Sequence, residues 1–219
     1  MAARPRPIHV LIDWNSELRS LPRAGGCDGA EVARRALKQV CRRVGKLLHD
    51  QAEGEAFFLF LRVYHGWRLG FDPTPRRQAL EAARVYNPDN PEDRGLSEYS
   101  PRPSQVLRDL EFGDRLLGAR DDRLCGKAMD HHLPSTFQKD RAGVFGEKMV
   151  DTALVSDLIH LAMEDDGGWL IVVGQDADLV PGILTAEGLL YGTDRRVIFL
   201  ARGGFKNSNP KMTDLVCRR

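Results

Sequence analysis

No stretch of this chain approaches the ~20 consecutive apolar residues that a membrane-spanning helix needs. Met1 to Pro7 also lacks the apolar run of a signal peptide. The expectation is a soluble, cytoplasmic protein with no membrane partner. Cysteine is scarce: Cys27, Cys41, Cys125 and Cys217 form no CxxC pair and keep no regular spacing. That argues against a zinc knuckle or a disulfide framework and fits a reducing compartment. Charge of one sign is missing too. The formal net charge is +1, so no global cationic field exists and a nucleic-acid partner would have to be held by a local basic patch. GxxxxGK[ST], GxSxG and HExxH are all absent, which removes the P-loop, serine-hydrolase and zinc-peptidase signatures. There is no internal repeat and no low-complexity tract.

What is present suits a globular domain. Hydrophobic residues make up 42% and charged residues 29% of 219 residues, enough for one full core. Of the 32 basic residues 25 are Arg; their planar forks suit phosphate, and a GC-rich coding bias explains the same excess. Ile8 to Ile12 reads as a buried parallel strand ending in Asp13. Glu31 to His49 carries apolar residues at helical spacing, and Ala56 to Tyr64 reads as a second strand. From Glu147 onward the pattern gives a helix opened by Val150-Asp151-Thr152, a strand over Trp169 to Val173, a helix from Leu179 to Glu187, and a strand over Val197 to Leu200. Strands alternating with helices predict an α/β fold, a Rossmann-like three-layer sandwich with a mostly parallel central sheet. The whole chain, 1–219, is expected to be a single domain with an irregular insertion at about 68–134 and a short tail at 202–219. Within that insertion Pro75 to Tyr86 and Ser104 to Leu117 read as helices, the second capped by Ser104. Arg123 to Ala128 reads as a short strand.

Four acids stand out by position. Asp13 ends the first strand, Asp176 and Asp178 follow the Trp169–Val173 strand, and Asp151 opens the helix preceding that strand. In a parallel sheet all four belong to the carboxyl edge, where open α/β sheets bind ligands. Like charges brought together raise one another's pKa, and a divalent cation relieves the conflict. Ligation by oxygen alone favours Mg²⁺, Mn²⁺ or Ca²⁺ over Zn²⁺. Helix capping offers a plainer explanation for Asp151 and Asp178, and Asp13 could simply form a turn.

Four pieces occur in order: Ile12-Asp13-Trp14-Asn15, Glu147-Lys148-Met149-Val150-Asp151, Ser156-Asp157-Leu158, and Val173-Gly174-Gln175-Asp176-Ala177-Asp178-Leu179-Val180-Pro181. On these the sequence resembles the NYN family of the PIN-like nuclease superfamily. The resemblance implies a Rossmann-like domain that cleaves RNA with Mg²⁺ or Mn²⁺ by metal-activated water. It implies that Asp13, Asp151, Asp176 and Asp178 bind the metal, that Asn15 lines the site and that Lys148 meets a phosphate. Gln175 stands where relatives carry Gly, and Trp14 stands where a small residue is usual and would narrow the entrance.

Asp157 lies ~9 Å along the helix from Asp151 and ~120° round it, which makes it a supporting or structural residue. Trp67, or His65 beside it, could stack on a base or cap the core. Arg76, Arg77, Arg84, Arg195, Arg196 and Lys206 could follow a phosphate backbone, with a solvated charged surface as the ordinary alternative. The pair His131-His132 is expected in a solvated loop. Two further functions stay open: a haloacid-dehalogenase-like phosphatase, which needs an Asp where this chain has Asn15, and an inactive RNA- or protein-binding module on the same fold.

Overall fold

Ile8 to Ile12 is apolar at every position except His9, which suits a strand covered on both faces. The computed structural model describes residues 5–21, 29–84, 95–119, 132–164 and 166–201. There this run is β1 (Arg6–Asp13), flanked by β2 (Phe57–Tyr64) on one side and β8 (Trp169–Val173) on the other. With β5 (Gln105–Phe112) and β9 (Val197–Leu200) they form one sheet in the order β5-β2-β1-β8-β9, every pair parallel. The chain builds outward from β1 through β2 to β5, then returns to place β8 and β9 on the opposite side. The strand order therefore reverses between β1 and β8, which opens a crevice at their carboxyl ends.

Alternation along β1 sorts the two layers. Ile8, Val10 and Ile12 pack with Ala33, Leu37, Val40 and Val44 of α2 (Gly29–Gln51), which shows these residues at three- and four-residue spacing. Leu11 packs on the other face with Leu154 and Leu158 of α4 (Val150–Met163) and Ile183 of α5 (Val180–Leu189). Gly182 lets these last two helices touch, since a Cβ there would lie 2.6 Å from Val155 Cγ1. The result is a three-layer α/β sandwich. Among the described residues no helix is long and apolar enough to cross a membrane.

The middle of the chain is more regular than its composition suggests. α3 (Pro75–Arg84) lies between β2 and β5 in the chain and packs on α2, so this part of the expected insertion belongs to the sandwich. The helix expected over Ser104 to Leu117 is instead the edge strand β5. Its cause is a bulge: Leu59 pairs with Leu107 but Phe60 with Asp109, leaving Arg108 as an extra residue. The buried positions become Gln105, Leu107, Leu110 and Phe112. The step of three between the two leucines imitates a helix. Ser104 caps nothing; its carbonyl accepts from the Phe57 N–H at 2.7 Å and extends the ladder. Two small hairpins, β3 (Arg68–Leu69) with β4 (Asp72–Pro73) and β6 (Phe137–Lys139) with β7 (Phe145–Glu147), and a 3₁₀ helix, Gly95–Tyr99, lie outside the central sheet. The strand expected over Arg123 to Ala128 lies outside the described residues, as do Cys27, Cys125 and Cys217; Cys41 is buried in the core.

Candidate active site

Asp13 is the last residue of β1 and the N-cap of the short helix α1 (Trp14–Arg19). Its Oδ1 accepts from the backbone of Asn15 at 3.1 Å and Ser16 at 3.4 Å, and its Oδ2 accepts from the Ser16 hydroxyl. It is only 7% exposed. Burial pushes its pKa up, the Ser16 hydrogen bonds pull the other way, and Glu147 adds to the rise, so the net shift is upward. Register puts Val173 beside Ile12, so the chain leaves β8 directly against Asp13. A Cβ on Gly174 would lie 3.3 Å from the Asp13 Cβ and 3.8 Å from its Oδ2. The tight neighbours of such a Cβ would be Leu179 Cδ1 at 3.1 Å and the Asp13 Cβ, so glycine lets the β8 exit lie close against Asp13.

Two residues further, Asp176 caps a 3₁₀ turn, Ala177–Leu179, by accepting from the Asp178 N–H at 2.9 Å. Asp178 lies inside that turn and leaves the helix that follows uncapped by any side chain. Capping therefore belongs to Asp176, the acid with the weaker structural claim in the sequence.

Asp151 is not a cap either. Its helix begins after Met149, which holds a left-handed backbone (φ 63°, ψ 1°) and makes no side-chain cap. A non-glycine residue in that region costs about 1–3 kcal/mol, and such strain gathers at functional sites. The bend joins β7 to α4 and sets Asp151 in the first turn. Its pKa is raised to about 6, by partial desolvation of this largely exposed carboxyl first and then by Asp13, Asp176, Glu147 and Asp178 in turn. Four other carboxylates thus act on this one side chain.

Glu147 is the member that the sequence did not single out. It ends β7 and is gripped from below: Oε1 accepts from the Gly66 N–H at 2.8 Å and pairs with Nδ1 of His65, which is buried. Arg76, an obligate donor, lies 2.6 Å from His65 Nε2. Nδ1 also lies 2.5 Å from the Gly66 N–H, so the imidazole is held at both nitrogens, with the Glu147 carboxylate against Nδ1. Burial alone would raise the Glu147 pKa; the His65 hydrogen bond, the Gly66 N–H and the Arg76 charge outweigh it, and the pKa falls below the ordinary value. The signal available in the sequence was position: Glu147 stands four residues before Asp151, and His65 directly follows β2 at the same sheet edge.

Other expected residues fall elsewhere. Trp67 is fully buried, donates its indole N–H to Val63 O at 2.9 Å and meets Phe112 edge-on, so it offers no face to a base. Trp14 is in the core and narrows no entrance. Asp157 is a buried structural acid, accepting from Arg62 Nε (2.7 Å), Tyr64 OH (2.8 Å) and Leu117 N (2.7 Å). Arg77 is tied to Asp114 and lies over Phe112, Arg84 donates to Leu110 O, and Arg195 donates to carbonyls at the end of α4, including Leu161 O at 2.8 Å. Arg196 covers the Trp169 ring at the amino edge. Arg76 and Lys148 are exposed near the acids, and Asn15 is half-buried beside Asp13. His132 is half-buried, with Nδ1 3.3 Å from Asp114 Oδ2. Lys206 and His131 lie outside the described residues.

The donor set is all oxygen, the chemistry of Mg²⁺ and Mn²⁺ sites. Among the described residues no three His, Cys, Asp or Glu side chains already stand so that they could hold one ion. The acids share a field without sharing a coordination point. Asp151, Asp176 and Asp178 are exposed, so turning onto an ion disturbs no packing. The cavities of 180 and 550 Å³ surround His9 and Phe60 and are not lined by these acids. Comparison of the chain with protein-family models, with curated proteins and with solved structures gave no match.

Proposed function

We infer that this protein is a Mg²⁺- or Mn²⁺-dependent nuclease of the NYN/PIN-like kind that hydrolyses phosphodiester bonds, with RNA as substrate. What supports this reading is the placement of Asp13 at the end of β1, beside the chain leaving β8 that carries Asp176 and Asp178, with Asp151 in the first turn of α4, at the reversal of strand order. Carboxylates so placed repel one another, and among the described residues none of the four is paired with Lys or Arg. Such a group is stable at neutral pH when a cation joins it.

Asp13, Asp151, Asp176 and Asp178 would hold the ion. When bound it supplies an activated water and a charge sink for phosphodiester oxygens. The chain's own residues do the rest. Ser16 and the Asn15 N–H fix the Asp13 carboxylate. Gly174 lets the turn bearing Asp176 and Asp178 leave β8 close beside Asp13. His65 and the Gly66 N–H hold Glu147 ionised beside the cluster. Lys148 and Arg76, exposed at the rim, can meet phosphate oxygens. The testing experiment is cleavage of labelled RNA in Mn²⁺ with and without chelator, for wild type and Asp176→Asn. Metal-dependent cleavage lost in the variant supports the assignment; cleavage that survives both chelator and substitution refutes it.

A further inference from the structure

We propose that the β6–β7 hairpin is a stacking platform for unpaired bases, which makes single-stranded nucleic acid the substrate class; its purpose rests on the nuclease assignment above. Pairing places Phe137 opposite Glu147 and Lys139 opposite Phe145. Cross-strand partners, and residues two apart on one strand, share a face. One face of the hairpin thus carries Glu147 and Phe137 at its foot and Phe145 and Lys139 further out. The two phenyl rings are stacked, with centroids 5.3 Å apart and planes within 8°. Lys139 Nζ sits 5.0 Å from the Phe145 centroid. Phe145 is 45% exposed, although an apolar ring normally seeks cover.

This stripe is continuous with the acids. From Phe145 to Glu147 is two residues, roughly 6.8 Å along a strand, and Glu147 is among the charges acting on Asp151. The hairpin is anchored, not loose. Lys148 N–H donates to Thr136 O at 3.0 Å, Arg68 N–H to Thr136 Oγ1 at 2.9 Å, and Ser135 N–H to Gly70 O at 2.8 Å. That last bond ties in the β3–β4 turn, whose Phe71 is 78% exposed.

Charge selects the occupant. Lys139, Arg141 and Lys148 are exposed on this hairpin. Its Asp140 carboxylate is spent on the Ala142 and Val144 N–H groups of its own loop. Aromatic faces interleaved with cations are how single strands are held, because an unpaired base offers a free π-face and its phosphate a charge. A paired base keeps its faces inside the helical stack. An apolar protein partner fits worse, since lysine is depleted from the cores of protein interfaces. The base-stacking role that the sequence suggested for Trp67 therefore moves to Phe145.

The experiment measures fluorescence anisotropy of a labelled 12-nucleotide oligouridylate and of a blunt RNA duplex, in Mg²⁺, on the Asp176→Asn background that removes turnover. Adding Phe145→Ala is expected to weaken single-strand binding about tenfold, from one lost stacked base, and to leave duplex binding unchanged. Adding Phe145→Trp is expected to restore it within about twofold, which a purely structural role for the ring would not do. In the cleaving protein, Phe145→Ala is expected to raise KM with kcat unchanged. Unchanged single-strand binding, an equal loss for the duplex, or a shift from dimer to monomer in light scattering with RNA binding intact would each overturn the proposal. If wild type never cleaves but Phe145→Ala still weakens its oligonucleotide binding about tenfold, the nuclease assignment fails and the platform stands. If wild type cleaves and Phe145→Ala cleaves with the same KM, the platform fails and the nuclease assignment stands.

Discussion

The chain treats its buried acids in two opposite ways. Asp157 and Asp114, 0% and 1% exposed, are each met by guanidinium: Asp157 by Arg62, Asp114 by Arg68 and Arg77. Glu17 is likewise paired with Arg43. At the carboxyl edge Asp13 is nearly as buried, yet it finds only neutral donors and further carboxylates. Three buried acids are thus offset by arginine, and Asp13 alone among the four at the proposed site is buried without a cationic partner among the described residues. Glu147 marks the boundary, with His65 and Gly66 on one side and Asp151 on the other.

The largest expected effect tests the paired group. Asp157→Ala takes the acceptor from Arg62 Nε, the Tyr64 hydroxyl and the Leu117 N–H, leaving Arg62 only the more exposed Glu111 and the Arg115 carbonyl, and should cost about 3–5 kcal/mol in urea unfolding. A loss under about 1 kcal/mol would erase the contrast. The unpaired group should respond in activity instead. Asp176→Asn is expected to lower RNA cleavage by about 10²-fold or more, with far-UV circular dichroism unchanged. His65→Gln loosens Glu147. The Mn²⁺ concentration for half-maximal cleavage should rise about tenfold, and most of the rate should return at saturating metal. A fall in rate with unchanged Mn²⁺ dependence would detach His65 and Glu147 from the metal.

The smallest effect concerns pH. The folded pKa of Asp151, about 6, lies above its ordinary value of 3.8. Its contribution to stability is therefore complete below about pH 4 and lost as pH rises through 6. In chelator, Asp151→Asn should remove that part of the slope and melt higher than wild type at pH 8. The difference should be about 1–2 °C, because Asp151 is exposed and solvent screens its neighbours. A lower melting temperature for the variant at pH 8 would mean that Asp151 is paired with a cation.

Much of this contrast was legible in the sequence where local pattern and tertiary role agree. Ile8–Ile12, Trp169–Val173 and Val197–Leu200 are unbroken or nearly unbroken apolar runs, and each is a strand of the central sheet. Asp13, Asp176 and Asp178 could be placed because strand ends in a parallel sheet share an edge. β5 could not, because the bulge at Arg108 changed its period from two to three. Glu147 and His65 gain their significance only when a three-residue strand folds back on Gly66, which no periodicity records. Trp67 shows the converse: an aromatic after a strand carries no sign of which way it points, and this one points inward.

The central claim is that the unpaired acids are a cation site. Its most direct test is a crystal soaked in Mn²⁺ and measured at the manganese edge. The account predicts an anomalous peak ligated by oxygens of Asp13 and Asp176, joined by Asp151 or Asp178, at roughly 2.0–2.3 Å. A clean map there at millimolar Mn²⁺, with the metal bound elsewhere or nowhere, would contradict it.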